Sequence, residues 1–259
     1  MNVIVCIKQV PNTTQVRINP ETNTLIREGV ESIINPFDMY AIEEGIRLKE
    51  KLGGKLTVIS MGPPQAEEAL REAISMGCDE GALVTDRAFA GSDTWATSYV
   101  LSQAVKKIGD FSVILCGKQA SDGDTAQVGP GISTHLNIPQ VTYVKKIESI
   151  EEKRARVERM TEEGFEIIET PIPCLLTVVK EINEPRLPSL KGKMRAKKAE
   201  IKKMTAEDLS CDFDKIGLDG SPTRVVKIFT PPPRKGGVIL KGDTGEIVEK
   251  LVGELRQEI

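Results

Sequence analysis

A single histidine, His135, stands in a chain of 259 residues, and that scarcity removes several chemistries at once. A zinc site draws three or four ligands from His, Cys and carboxylate side chains. One histidine and five scattered cysteines, at positions 6, 78, 116, 174 and 211, hardly assemble one. A Ser-His-Asp triad would have to use His135, which lies near the end of an expected helix and beside no nucleophile motif. The cysteine count is odd and no two are close in sequence. Cys6 and Cys116 sit inside apolar runs and Cys174 opens one, which reads as reduced core thiols. A strong charge of either sign is also missing. The formal net charge is −3, so no global attraction to nucleic acid operates. Long hydrophobic runs are absent too. The start, MNVIVCIKQVP, has no basic region and only a short apolar stretch. A signal peptide needs a longer one, and a membrane span needs about twenty apolar residues. The expectation is a cytoplasmic protein with no membrane contact. With 39% hydrophobic and 28% charged residues, the composition is that of an ordinary folded chain. No internal repeat or low-complexity tract interrupts it.

What is present is an alternation. Residues 2–8 (NVIVCIK), 55–61 (KLTVISM), 82–85 (ALVT) and 111–116 (FSVILC) are short apolar runs that read as buried strands. Between them lie helical periods. Ala41, Gly45, Leu48 and Leu52 share one face. Ala66, Ala69, Leu70, Ala73 and Ile74 make another, closed by Gly77. Val100, Leu101, Ala104, Val105 and Ile108 make a third, with Ser92 or Asp93 as its cap and Gly109 at its end. Strand–helix alternation predicts right-handed βαβ units and a mostly parallel, doubly wound α/β sheet. In such sheets ligands bind at the carboxyl ends of the strands.

After residue 140 the texture changes. QVTYVKKIES, RARVERM, FEIIE and PCLLTVVK read as further strands, with a hairpin turn at Glu163–Gly164. Residues 182–203 hold two prolines and eight Lys/Arg against two Glu, and no aromatic residue occurs from 181 to 210. A basic run is commonly a solvated face or a nucleic-acid patch, but the missing aromatics argue against a single-strand stacking platform. Residues 206–240 look irregular, with PPP at 231–233 and Gly236–Gly237. From Asp243 onward, Ile247, Val248, Leu251, Val252 and Leu255 fall on one helical face. That face has to be buried on the chain's own core or on a partner. The expected division is a nucleotide-binding domain over 1–205 and a C-terminal arm and helix over 206–259.

Residues 117–131, GKQASDGDTAQVGPG, carry the strongest local chemistry. A strand that ends in glycine and continues into a helix presents free N–H groups at the sheet edge, and the helix dipole favours an anion there. Asp124 or Thr125 is placed to cap the helix, Gly123 and Gly129 permit close approach, and Lys118 adds positive charge. No P-loop signature is present. GPGIST at 129–134 is a near miss to the dinucleotide fingerprint, but lies inside the expected helix. The residues alone leave two readings open, a phosphate cradle or an ordinary polar connection. Three other junctions fall on the same edge: Asn35-Pro36-Phe37-Asp38, where Asn35 suits an N-cap and Pro36 the first helical position; Met61-Gly62-Pro63-Pro64; and AFAGSDT at 88–94.

Taken together, NPFD (35–38), SMGPPQAEEALREAISMG (60–77), GKQASDGDTAQVGP (117–130) and INEPRLPSLKGKMRAKK (182–198) resemble the beta subunit of electron-transferring flavoproteins, in order over nearly the whole chain. The resemblance implies an adenine-nucleotide-hydrolase-like α/β fold and an obligate heterodimer with an alpha subunit that carries a redox FAD. It places nucleotide contacts on Cys6, on Asn35, Pro36, Phe37 and Asp38, and on Met61. Further contacts fall on Gly117, Lys118, Gln119, Asp122, Gly123 and Asp124, then on Thr125, Ala126, Gln127 and Val128.

Family members divide between a structural AMP and, in electron-bifurcating systems, a second FAD that takes a hydride from NADH. IREGVESIINPFD, DRAFAGSDTWATSY and ASDGDTAQVGP look more like the bifurcating type. On that likeness Ala90, Gly91, Asp93 and Thr94 line the NADH or flavin side. Residues 184–194 correspond to the loop by which the family docks an acyl-CoA dehydrogenase-type partner, with Leu190 as anchor and Arg186, Leu187, Lys191 and Met194 around it. A third alternative is a hydrolase or ligase of the same fold. The lack of a second candidate base and of an S-G-G-x-D-S loop weighs against it.

Overall fold

The alternating apolar runs do form buried strands. In the computed structural model, which describes residues 1–12, 17–18, 25–26, 32–226 and 237–258, β1 (Asn2–Ile7) opens the chain. Short strands β2 (Gln9–Pro11), β3 (Arg17–Ile18), β4 (Leu25–Ile26) and β5 (Ser32–Ile34) follow, paired as β2 with β5 and β3 with β4. The βαβ series then runs α1 (Pro36–Leu52), β6 (Lys55–Met61), α2 (Glu67–Met76), β7 (Glu80–Val84), α3 (Thr94–Ile108), β8 (Val113–Gly117) and α4 (Val128–Leu136). An antiparallel extension follows as β9 (Gln140–Ile150), β10 (Arg154–Met160) and β11 (Phe165–Pro171), and the chain returns to the sheet as β12 (Cys174–Val178). Helix α5 (Leu190–Lys198), strand β13 (Ile201–Met204) and helix α6 (Thr244–Glu258) complete the order.

The main sheet has nine strands in the order β11-β10-β9-β12-β8-β1-β6-β7-β13. The seven from β9 to β13 are mutually parallel, and at one edge β10 pairs antiparallel with both β9 and β11. Parallel strands buried on both faces need apolar residues at successive positions. Val3, Val5, Leu56, Val58, Leu115 and Leu176 belong to the core shared with α1, α2 and α5. The intervening Ile4, Cys6, Ile59, Ile114 and Leu175 belong to the core under α3 and α4. The chain builds outward from β1 to β6 and β7, then crosses back to place β8 on the other side of β1. Loops leaving β1 and β8 diverge at that reversal, which opens a crevice at their carboxyl ends.

Residues 182–203 are more structured than their charge suggests. Arg71 donates from Nη1 to the Ala196 and Ala199 carbonyls at 2.7 and 3.0 Å, and Arg195 donates from Nη2 to the Ile74 and Cys78 carbonyls at 2.6 and 2.7 Å. These bonds seat α5 on α2, and β13 then joins the parallel sheet beside β7. The segment after it covers the second face: Ala206, Leu209, Cys211 and Ile216 are buried in the core beneath α3. The packed body thus extends past residue 205. Residues 227–236, which hold PPP and Gly236, lie outside the described residues, as do residues 27–31 of the IREGVESIINPFD stretch. In α6, Val248, Leu251, Val252 and Leu255 are exposed. Among the described residues no helix is long and apolar enough to cross a membrane.

Leu115 lies fully buried at the middle of the central strand β8. Leu115→Ala is expected to lower unfolding free energy by ~2–5 kcal/mol through lost transfer energy and the cavity left behind. Leu187→Ala, at a residue 89% exposed, should change it by less than ~0.5 kcal/mol. Urea unfolding of both variants checks the contrast.

Candidate functional site

The crevice is built around the start of α1. Asn35 precedes Pro36, which occupies the first helical turn, but the Asn35 side chain makes no cap bond. It reaches across instead. Its Nδ2 donates to the Gln119 carbonyl at 2.8 Å, and its Oδ1 accepts from the Ser121 N–H at 3.0 Å. The Asn35 N–H donates to the Lys8 carbonyl at 2.8 Å. Three residues on, Asp38 Oδ2 accepts from the Lys8 N–H at 2.7 Å, and the Gly117 N–H lies near enough to favour the charged form of this carboxylate. The two side chains tie the ends of β1 and β8 and the following loop to one helix start. A Cβ at position 117 would overlap Asp38 Oδ1 and the Phe37 carbonyl carbon, so only glycine fits there. Burial pushes the Asp38 carboxyl up to about 7, against the lowering effect of the Lys8 N–H, Asn35, the Gly117 N–H and the Lys8 charge.

The loop from 117 to 128 is held from several sides. Lys118 N–H donates to the Val178 carbonyl at 2.9 Å, and its ammonium lies 5.0 Å from the Tyr143 ring centre and 6.0 Å from that of Phe37. Lys8 Nζ pairs with Asp122 at 2.6 Å. Gln119 Nε2 donates to Asp124 Oδ1. Asp124 and Ala126 adopt φ of 53° and 56°, a conformation that costs about 1–3 kcal/mol for residues other than glycine and concentrates at functional sites. Asp124 and Thr125 do not cap α4. Its N-cap position is Gln127, which makes no side-chain cap bond. The first-turn N–H groups at Val128 and Gly129 therefore have neither an intrahelical carbonyl nor a side-chain acceptor from the cap residue. A Cβ on Gly129 would lie 2.8 Å from Thr177 Cγ2, so glycine is what lets α4 start this close to β12.

The opposite wall comes from the ends of β6 and β7. Asp93, not Ser92, caps α3, accepting from the N–H groups of Trp95 and Ala96 at 3.0 and 3.1 Å. Its second oxygen accepts from Thr223 N–H and Oγ1 at 2.9 and 2.8 Å, which ties the chain after 221 to this wall. Thr94 Oγ1 donates to Gln127 Oε1 at 2.8 Å and joins the two walls. Between them lies a cavity of about 850 Å³.

Of the residues singled out in the sequence, Cys6, Asn35, Asp38 and Met61 line it. So do Ala90, Gly91, Asp93 and Thr94, and the loop residues Gly117, Lys118, Gln119, Gly123, Thr125, Ala126, Gln127 and Val128. Pro36, Phe37, Asp122 and Asp124 shape the cradle from behind and are not part of its lining. The lining also includes Lys8, the 62–64 turn, Thr85, Asp86, Arg87, Ser92 and Cys116, which sequence reasoning did not single out as contacts. Their common signal is position: all but Ser92, which lies just before α3, sit at or within a few residues of the carboxyl end of a parallel strand. Arg87 is the one lining guanidinium, and no ion pair or hydrogen bond of its side chain occurs among the described residues. Unpaired N–H donors, the charges of Arg87 and Lys118, and an apolar floor fit a nucleotide with a diphosphate.

His135 is not part of this lining. It packs at 4.5 Å from the Trp95 ring and 5.6 Å from the Tyr99 ring, and burial draws its pKa down. Among the described residues no cluster of three or more His, Cys, Asp or Glu is placed to hold a metal ion.

The basic strip at 184–194 contributes nothing to the cavity lining. Leu187, Leu190 and Met194 are 89%, 78% and 59% exposed, and Lys191 is exposed beside them. Arg186 points inward instead. Its guanidinium pairs with Glu43 at 2.8 Å and Glu50 at 2.6 Å, and its N–H donates to Glu43 at 3.1 Å.

An electron transfer flavoprotein domain model matches residues 22–209. The chain is 57% identical over 256 residues to an electron transfer flavoprotein subunit beta of Thermoanaerobacterium thermosaccharolyticum, covering 98% of each. It is 47% identical over 268 residues to the subunit of the same name in Megasphaera elsdenii, covering 98% of this chain and 99% of that one. With the caffeyl-CoA reductase-Etf complex subunit CarD of Acetobacterium woodii it shares 48% identity over 260 residues, covering 100% and 99%.

Asp38 offers a direct test of the crevice electrostatics. Its folded pKa is raised from 3.8 to about 7, so the native state binds more protons than the unfolded state between those values. Stability from this group is complete below about pH 4 and is lost as pH rises to about 7. Asp38→Asn should flatten that part of the stability-against-pH curve. An unaltered slope in urea unfolding between pH 4.5 and 7 would contradict the assignment.

Proposed function

The chain belongs to the electron transfer flavoprotein family, as a beta subunit that works in electron transfer with an alpha subunit, and from that membership we propose that its cavity holds FAD and that the heterodimer bifurcates electrons from NADH. The observation that carries this reading is the extent of the cavity. It runs from the 117–128 loop across the ends of β1 and β6 to residues 85–94. A mononucleotide seated on the 117–128 loop would leave the far wall, with Arg87, Ala90 and Gly91, unused.

FAD supplies two-electron acceptance and one-electron release when bound. The chain's own residues bind and orient it. N–H groups of the 117–128 loop and the α4 start hold the diphosphate, with Lys118 and Arg87 offsetting its charge. The floor made by Cys6, Cys116, Phe89 and Leu101 excludes water on one side. Ala90 and Gly91 carry little side chain, and Gly91 has φ of 78°, so nicotinamide approaches near Asp93 and Thr94. Hydride transfer needs orientation and electrostatics rather than a side-chain base, which suits a wall without histidine.

The remaining surfaces take the partners. The alpha subunit covers the exposed apolar face of α6, and the chain beyond the packed residues 206–221 forms the arm that reaches it. A flavin dehydrogenase of the acyl-CoA type docks on Leu187, Leu190 and Met194, whose basic surroundings steer an acidic surface. The relative named as part of a caffeyl-CoA reductase complex favours such a partner. A cytoplasmic setting for the heterodimer is part of this reading. The other reading is a structural AMP on the 117–128 loop, with this chain serving only to dock the dehydrogenase.

Counting flavins in the purified heterodimer separates the two. Two FAD per heterodimer is the expected result, and one FAD with released AMP would overturn the bifurcation reading. Leu190→Ala should slow electron delivery to the dehydrogenase by about tenfold or more, the loss of a buried apolar anchor, while the flavin spectrum stays the same. An unchanged delivery rate would remove the docking role.

A further inference from the structure

The cavity floor carries two thiols whose sulfur chemistry the redox role does not use. Cys6 on β1 and Cys116 on β8 are directly opposite in parallel register. Both point to the face covered by α3 and α4, and both belong to the core there. They are 7% and 6% exposed, and both line the cavity. The Cys6 thiol is close enough to raise the pKa of the Cys116 thiol. Neighbouring strands lie about 4.8 Å apart, so two same-face thiols in register can share one central atom. The other cysteines have no such pairing: Cys78 and Cys174 lie in the core of the opposite face, and Cys211 is off the cavity.

We propose that Cys6 and Cys116 form a vicinal dithiol that captures one trivalent arsenical, or an equally thiophilic soft centre, from the cavity side, and that a bound nucleotide blocks the capture. The step is a condensation. An organoarsenous acid RAs(OH)2 and two thiols give RAs(SR′)2 and two waters. Two S–H and two As–O bonds break and two As–S bonds form. The thiol protons leave in the water, and arsenic stays trivalent, so no oxidant or reductant takes part. Sulfur ligands favour such soft centres.

Disulfide formation is the poorer outcome for this pair. The neighbouring Cys6 thiol and burial hold the Cys116 thiol well above the ordinary thiol range. A protonated thiol is a weak nucleophile in disulfide exchange. Arsenous hydroxyl groups, by contrast, depart with the thiol protons. The dithiol assignment stands on strand register and cavity access. Only the blocking arm rests on the nucleotide reading.

The test uses the full heterodimer, as isolated and after release of its nucleotide, treated with phenylarsine oxide and digested with trypsin. The nucleotide-free protein should yield residues 1–8 linked through one phenylarsenic to residues 108–118. Cys6→Ser and Cys116→Ser should each abolish that species, and Cys174→Ser should not. Since a buried Cys→Ser change can unfold the chain, the linked peptide from the unaltered protein decides independently. Arsenic found only on other cysteines, or on one of the pair without the link, would overturn the dithiol site. Added FAD or AMP should slow capture at least tenfold, and equal rates with and without nucleotide would overturn the blocking claim while leaving the linked species to be judged by itself.

Discussion

Everything at the carboxyl edge depends on two side chains at the start of one helix. Asp38 takes an N–H bond from Lys8, just after β1, and lies against Gly117 at the end of β8, and Asn35 grips the loop that follows β8. A buried carboxylate is tolerated there because backbone N–H groups and the Lys8 charge answer it, although burial still raises its pKa to about 7. The grip fixes where the loop turns back. It thereby decides which amides face the cavity, and it demands glycine at position 117. The loop then takes positive φ at Asp124 and Ala126, a strain that persists because Asn35 and Lys8 hold the loop from outside and Gln119 braces it from within.

The same helix carries the exposed apolar strip. Arg186 clamps the 184–190 segment to Glu43 and Glu50, further along α1. Burial opposes ionisation of Glu43, but its bonds to Arg186 and Arg47 outweigh that and hold its carboxyl below the usual range. A rigid α-helix of 17 residues, about 25 Å long, sets the spacing between the nucleotide crevice and the strip. The cavity and the strip are thus separate surfaces of one framework, and each can be altered without touching the other.

The parallel sheet was legible because β-branched and apolar runs alternate with helical periods, and the antiparallel extension because its runs alternate around Gly164. The caps at Asp93, Gly77 and Gly109 followed from local chemistry. Asn35 did not. Its position reads as an ordinary N-cap, and only the fold shows that its amide is turned to the 119–121 loop 84 and 86 residues away. Asp124 and Thr125 looked like caps because polar residues precede an apolar helix, but positive φ at Asp124 and Ala126 delays the helix to Val128. Arg186 read as one of the docking residues around Leu190, since its partners Glu43 and Glu50 lie 143 and 136 residues earlier. Strand β13 and helix α5 were hidden by lysines, because an edge strand and a helix packed on one side need few apolar residues. The family resemblance, resting on whole motifs in order, located the cavity residues better than any single loop did.

The central claim is that backbone amides at the carboxyl edge hold a nucleotide's diphosphate. Amide hydrogen exchange on the heterodimer, before and after adding back FAD to nucleotide-free protein, tests it most directly. Strong slowing over residues 117–129 is the predicted result. Slowing confined to the amino edge of the sheet, at residues 52–55 and 110–112, or none over 117–129, would contradict it.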